Sequence, residues 1–181
     1  MSNTAVVYKS DYGAARNYAI CIAKALDADL YNLRRIHEFD FSRYDALVFG
    51  GGLYAGQVNG LRFLSSHTQE LEGKRLAVFT TGLSDPSIGE NVQRTEKAVA
   101  KALVGSEACS APVFCFRGAL DYSELSFKHR LAMAGLHSII AHKKPDRLSP
   151  DERVLLDTYG KSVDFVNLAA ADPLIEYMRS K

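Results

Sequence analysis

The sequence predicts an α/β fold: one five-stranded parallel sheet, ordered 2-1-3-4-5, with helices on both faces. Two observations predict it. Short apolar runs rich in β-branched residues alternate along the chain with stretches of helical spacing, which demands right-handed crossovers and a sandwiched sheet. In addition, several of these runs end in loops of glycine and small polar residues, the place where open α/β sheets bind ligands.

The first run, Thr4-Ala5-Val6-Val7-Tyr8, has the unbroken apolar character of a strand buried on both faces. The loop Lys9–Gly13 follows, and then a helix whose apolar face carries Ala19, Ile22, Ala23 and Leu26. Asp29–Leu33 is a shorter second strand. The third, Asp45–Phe49, ends in the glycines Gly50, Gly51 and Gly52, and a helix through Leu61, Leu64, Thr68 and Leu71 comes next. Arg75–Thr80 is the fourth strand, followed by the loop Thr81–Pro86 and a helix marked by Val92, Val99 and Leu103. Val113–Phe116 is the fifth. Ser149-Pro150-Asp151-Glu152 supplies an N-cap, a first-position proline and a capping-box glutamate for a last helix, whose apolar face runs through Leu155, Tyr159, Val163 and Val166.

The 181 residues read as a single domain, residues 1–181, with an insertion at about 117–148 between the fifth strand and that last helix. The insertion holds its own helix, Leu125–Ile140. Leu125, Ala132, Leu136 and Ile139 share one face, while Phe127, Leu131 and Ala134 share nearly the opposite one. A surface helix needs one apolar stripe, so the second face is expected to meet another part of the chain, a substrate, a partner or, through residues 123–144, a membrane surface.

Composition excludes several classes. A net charge of +1 with both signs interspersed is no nucleic-acid footprint. Cys21, Cys109 and Cys115 are odd in number and lack CxxC spacing, so no disulfide framework is expected, and Cys21 and Cys115 read as buried thiols. Without an apolar signal core or a long uncharged stretch, the expectation is a cytoplasmic protein. Gly50-Gly51-Gly52-Leu53-Tyr54-Ala55 satisfies G-x-G-x-x-A but follows the third strand rather than the first, so the dinucleotide reading fails. Glycines also stand where a phosphoacceptor regulator would need an aspartate. Neither a P-loop nor a metal spacing such as H-E-x-x-H occurs, and His129, His137 and His142 read as solvated or hydrogen-bonded.

Three loops converge in the proposed strand order. In the first, Ser10, Asp11, Tyr12, Gly13, Ala14 and Ala15 lead into a helix whose free N–H groups and positive end suit a phosphate, with Lys9 and Arg16 nearby. In the second, Gly51, Gly52, Leu53, Tyr54, Ala55 and Gly56 offer close backbone approach to a flat ligand and a stacking ring. The third, Thr80, Thr81, Gly82, Leu83, Ser84 and Asp85, carries polar groups for a ring edge.

With these loops placed, the chain resembles a family. Tyr8–Ala15 with Ala19 is similar to the flavodoxin phosphate loop, although Ala15 stands where that family usually has Thr and Tyr12 where many members have a smaller hydroxyl residue. Tyr44–Gly50 through Leu53–Gly56, and Phe116-Arg117-Gly118-Ala119-Leu120-Asp121-Tyr122 with the basic, apolar insertion behind it, resemble the flavodoxin-type protoporphyrinogen oxidases. The resemblance implies a flavodoxin-like three-layer sandwich and flavin mononucleotide (FMN). The phosphate would lie at Ser10–Ala15 and the ring between Leu53–Gly56 and Thr81–Asp85. It further implies oxidation of protoporphyrinogen IX or a similar substrate, with electrons passed to a quinone. Peripheral attachment at the inner membrane face stands as the alternative to a purely cytoplasmic place. No side chain in the loops stands out as a general acid or base, while Arg117, Lys128 and Arg130 could meet propionates or anionic headgroups. The competing reading is an electron carrier docking on redox protein partners, against which the near-neutral charge speaks. A third is a flavodoxin-shaped scaffold without FMN.

Overall fold

The computed structural model describes residues 3–54 and 56–180. Strand β1 (Thr4–Lys9) lies between β2 (Asp29–Asn32) and β3 (Ala46–Tyr54), and β5 (Arg75–Gly82) and β6 (Val113–Arg117) complete the order β2-β1-β3-β5-β6. All these neighbours pair in parallel. This is the expected flavodoxin-like order 2-1-3-4-5. A short strand β4 (Gln57–Val58) folds back antiparallel on the end of β3.

Alternation along the strands builds the two outer layers. Val6, Tyr8, Val48, Ala77, Phe79 and Phe116 point to a face covered by α1 (Ala14–Leu26) and α6 (Asp172–Arg179). Ala5, Val7, Leu47, Phe49, Leu76 and Val78 point to the other, covered by the one-turn helix α2 (Arg62–Ser65) with its flanking turns and by α3 (Gly89–Ala102).

Two expectations are corrected here. The glycines Gly50–Gly52 do not begin a loop but extend β3, paired with β1 through Tyr8 and Lys9 and with β5 through Phe79, Thr80 and Thr81. Their lack of side chains is a packing requirement: a Cβ on Gly50 would stand 2.0 Å from Phe79 Cζ, and one on Gly51 would stand 2.4 Å from the Asn59 carbonyl oxygen.

The second correction concerns the end of the chain. The capped helix α5 (Pro150–Thr158) starts as expected, with the Ser149–Glu152 capping box formed, but stops before Tyr159. Gly160, at φ 75°, turns the chain out of the helix. Val163, expected on the helical face, lies in β8 (Ser162–Asp164), which pairs antiparallel with β7 (Ala119–Asp121). So α5 belongs with α4 (Phe127–Ala141), against which it packs, in an excursion β7–α4–α5–β8 that leaves the sheet after β6. The helix that closes the sandwich is α6, whose Leu174, Ile175 and Met178 are buried on the sheet.

Candidate functional site

The loop after β1 is drawn tight by the Gly13 N–H donating to Ser10 Oγ at 3.1 Å. Gly13 sits at φ 93°, a conformation L side chains rarely adopt, and from there the chain enters α1 with no side chain capping its N-terminus. The first intrahelical bond is Asn17 N–H to the Gly13 carbonyl at 3.0 Å. The N–H groups of the first turn are thus left for an external acceptor, and the helix dipole favours an anion there. Ala14 and Ala15 turn their methyls into the protein, 8% and 2% exposed, so Ala15 serves packing at this helix entrance. Arg16 is exposed.

The other members of this loop are engaged elsewhere. The Asp11 carboxylate accepts from Arg34 and from Asn59 Nδ2 at 2.9 Å, tying the loop to the chain after β2 and after β4. The Tyr12 hydroxyl lies 2.5 Å from His129 Nδ1 and accepts from the Ser126 N–H at 3.3 Å. Tyr12 therefore points at the first turn of α4, not at the α1 mouth.

On the β3 side, Tyr54 folds back so that a Cβ on Gly52 would meet its hydroxyl at 2.6 Å. Its ring stacks on His129 (centroids 5.1 Å apart, planes 18° apart) and meets Tyr12 edge-on at 5.9 Å. Burial, then the neighbouring Asp11 and Tyr12, push the Tyr54 phenol well above its ordinary pKa, so it stays neutral. Leu53 packs on the α3-side core and stands 3.5 Å from the position a Gly82 Cβ would take, while Gly56, at φ 77°, makes the turn. Ala55 lies outside the described residues.

On the β5 side, Thr80 and Thr81 are buried, and the Thr80 hydroxyl donates to Cys115 Sγ at 3.6 Å. Burial raises the Cys115 pKa, although hydrogen bonds from Thr80 and Thr95 oppose the shift. Leu83 offers its carbonyl to Arg117 at 3.4 Å. The Asp85 N–H donates to Asp151 of α5 at 3.2 Å, and its carboxylate, held below the ordinary range by Ser87, accepts from the Ser87 N–H at 2.9 Å. Asn91 donates to the Asp85 carbonyl and to Asp151, locking the β5–α3 loop to the excursion.

Leu53, Gly56, Thr80, Gly82, Ser84 and Arg94 are among the residues that line a cavity of about 100 Å³, against the roughly 300 Å³ at which small-molecule sites begin. With Tyr54 lying on Gly52, a flat ring can enter only after Tyr54 rotates away. A single backbone stretch joins the first and third loops: a Cβ on Gly118 would stand 3.5 Å from Ala14 Cβ and 3.6 Å from the Gly82 backbone.

Of the cations expected near an anionic substrate, two are occupied within the chain. The Arg117 guanidinium lies 3.7 Å over the Phe165 ring, with its Nε buried and unpartnered. Arg130 donates to the Ser123 and Leu125 carbonyls. Lys128 and Arg130 are both exposed. Sequence reasoning missed His129, Asn59, Arg34, Asn91 and Asp151 as members of the site. Each sits far along the chain from its partner, and a lone histidine or amide carries no spacing that would mark it.

Two comparisons with known proteins place the chain. A search of curated proteins finds no match. The family model described as a flavodoxin domain matches residues 5–147, well over half of the chain. Among solved structures, a flavoprotein from Bacteroides eggerthii is 17% identical with a TM-score of 0.51, covering 79% of this chain and 100% of its own. A flavodoxin, WrbA-like protein from Agrobacterium tumefaciens is 18% identical (TM-score 0.47; 72% of this chain, 88% of its own). A Lactobacillus acidophilus flavoprotein solved in complex with FMN is 14% identical (TM-score 0.45; 65% and 93%). The sandwich, the strand order and the matched span agree: the chain belongs to the flavodoxin domain family.

Proposed function

We propose that the protein is an FMN-dependent oxidoreductase that oxidises a porphyrinogen-class substrate and passes the electrons to a quinone. One observation carries the FMN part: the uncapped mouth of α1, opened by Gly13 at φ 93°, adjoins Gly118 and, through it, Gly82. The residues fit the cofactor's tail directly and its ring after one rotation. First-turn amides of α1 and the Ser10 hydroxyl hold the phosphate, with Lys9 and Arg16 adding positive charge. The backbone from Gly51 to Leu53 and from Thr81 to Gly82 flanks the ring, and Tyr54, once swung off Gly52, supplies an aromatic wall. Bound FMN would supply the electron transfer; the chain supplies orientation and electrostatics. The substrate class rests on the resemblance of Phe116–Tyr122 and on the excursion that overhangs the cleft through His129.

Titration of the chain with FMN, read by quenching of flavin fluorescence, tests the first part. Saturable one-to-one binding is expected, weakened roughly 10- to 150-fold by Ser10→Ala, the value of a hydrogen bond to a charged acceptor. A chain that ignores millimolar FMN overturns the reading. Anaerobic mixing of the loaded protein with protoporphyrinogen IX and a soluble quinone tests the second, with porphyrin fluorescence as the signal. Absence of turnover, with one-electron exchange to a redox protein instead, would make the protein a carrier.

A further inference from the structure

The connection from β2 to β3 contains no α-helix, only the 3-10 turn Phe41–Arg43, and it covers the α2 side of the sheet with aromatic rings. Phe39 meets Phe41 and Phe63 edge-on, with centroids 4.7 and 5.6 Å apart, and Phe41 stacks on Phe63 at 5.5 Å. Between this connection and α2 the chain encloses a cavity of about 580 Å³, inside the roughly 300–1,000 Å³ range of small-molecule sites. It shares no lining residue with the smaller cavity at the strand ends. Phe39 and Phe63, both on its wall, are only partly buried.

Three carboxylates line this cavity, those of Glu38, Asp40 and Glu70. No lysine or arginine does, and its only other ionisable groups are His37 and His67. The Asp40 carboxylate accepts from the Ser42 N–H at 3.0 Å and from the Ser42 hydroxyl at 2.6 Å. These bonds, with smaller help from Arg43 and Lys74, hold its pKa below the ordinary range, so it is anionic at neutral pH. Glu38 and Glu70 are exposed and form no ion pair among the described residues. The neighbouring cations lie outside the lining. Arg43 is 4.0 Å from Asp29 and over the Tyr44 ring, Lys74 donates to the Tyr44 carbonyl, and Arg35 and Arg62 are exposed.

His67 adds a directional group. Its Nδ1 lies 2.8 Å from the Phe63 carbonyl oxygen, which can only accept, so Nδ1 carries the proton and Nε2 of the neutral ring is an acceptor. Among the described residues no group of His, Cys, Asp and Glu could hold a metal ion.

We infer that this cavity binds a small arylalkyl amine as its ammonium ion, with the ring against Phe39 and Phe63, the ammonium among Glu38, Asp40 and Glu70, and one N–H donating to His67 Nε2. Each part of the wall selects one part of the ligand. Aromatic walls favour a ring, and their faces attract a cation. The carboxylates complement an ammonium and repel a phosphate or a carboxylate. A wholly apolar molecule would strip water from these polar groups and return no partner.

Three probes with the same aromatic body and different charge test this on the full chain, read in two-dimensional amide spectra. 2-Phenylethylammonium is expected to shift the Phe39, Phe63 and His67 resonances saturably at millimolar concentration. 2-Phenylethanol should bind about tenfold more weakly, as the loss of several partly exposed charge contacts gives, and 3-phenylpropionate should not saturate. Butylammonium, which lacks the ring, should also bind about tenfold more weakly or worse. Glu38→Gln and Glu70→Gln should each weaken the ammonium about two- to fivefold, an effect erased by about 0.5 M salt. Unchanged far-ultraviolet dichroism shows that these exposed substitutions leave the fold intact. Equal binding of all three charge types, or no saturation by the ammonium, overturns the inference. So do shifts confined to Leu53 and Thr81, which would put the amine in the cleft at the strand ends. Shifts at Phe39 and His67 that rise with protein concentration alone and track a dimer in sedimentation also overturn it, giving the cavity to a second copy. None of these readings depends on FMN.

Discussion

The sheet and the excursion are built on opposite principles. Around the sheet, side chains such as Tyr18, Phe49, Phe79, Leu64 and Leu174 are fully enclosed, and register is set by long apolar strands. In the excursion, α5 has no buried residue and α4 has only Ile140. Beyond the buried Leu120, Leu125 and Ile140, what attaches the excursion is polar and aromatic: Tyr12 with His129, Tyr54 stacked on His129, Asp151 with Asn91, and Arg117 over Phe165. Of these partners, Tyr12 and Tyr54 belong to the loops that form the candidate cleft, and Asn91 lies in the first turn of α3, after the third of those loops. A dense scaffold therefore carries a loosely held cover, and stability and function separate along that line.

Substitution inside and outside the scaffold should break this comparison most visibly. Leu174→Ala on α6 removes a fully buried side chain and is expected to cost about 2–5 kcal/mol in urea unfolding. Leu131→Ala on α4, where the side chain is 64% exposed, should stay within about 0.5 kcal/mol. Comparable losses at both positions would mean that the excursion has a core of its own. Gly51→Ala comes next. Its Cβ would strike the Asn59 carbonyl at 2.4 Å, a backbone atom that cannot turn aside, so about 1–3 kcal/mol should be lost. The β3–β4 hairpin would be displaced with it, visible as shifted amide resonances at Leu53 and Val58.

The scaffold was largely legible in the sequence, and the excursion only in part, for the same reason. Strands buried on both faces announce themselves locally, and Val6-Val7 or Val48-Phe49 needs no distant partner to be recognised. The three glycines were legible as special but not as strand, because what presses on them, Phe79 and Asn59, comes from elsewhere in the chain. Leu155, Tyr159, Val163 and Val166 imitate a helical face, yet Gly160 breaks the helix and Val163 pairs with Leu120 across β7 and β8. α6 was missed although Pro173 and the Leu174–Ile175–Met178 spacing mark it, since eight residues leave little periodicity to read. In the site, the open α1 mouth was visible in Gly13 itself. The engagement of Asp11 by Arg34 and Asn59 was not, nor was that of Thr80 by Cys115, being contacts across 23, 48 and 35 positions.

The attachment itself is sharpened by His129→Ala. One hydrogen bond and one aromatic stack are removed, together about 1–3 kcal/mol of local stability. Hydrogen exchange in the first turn of α4 should speed up roughly 5- to 150-fold, while β1 and β3 amides keep their protection. If the sheet loosens equally, the excursion is no separate unit. Tyr12→Phe should reproduce part of the effect, because it removes the hydrogen bond and leaves the edge-on ring contact.

The smallest effect expected is at the start of α5, where it also depends on pH. Ser149 and Glu152 cap the helix reciprocally, and Ser149→Ala should cost α5 about 1 kcal/mol, read by exchange of its first-turn amides. Glu152 bonds to Lys143 and to the Ser149 N–H, and these hold its pKa below the ordinary 4.5. An acid whose folded pKa is depressed stabilises the fold at every pH above its unfolded value and loses that contribution as pH falls through the folded one. Protection of α5 should therefore be constant from neutrality down to about pH 4.5, then decline. In Glu152→Gln that decline should vanish while the core amides keep their protection. A decline that persists in the glutamine variant would assign it to another carboxylate.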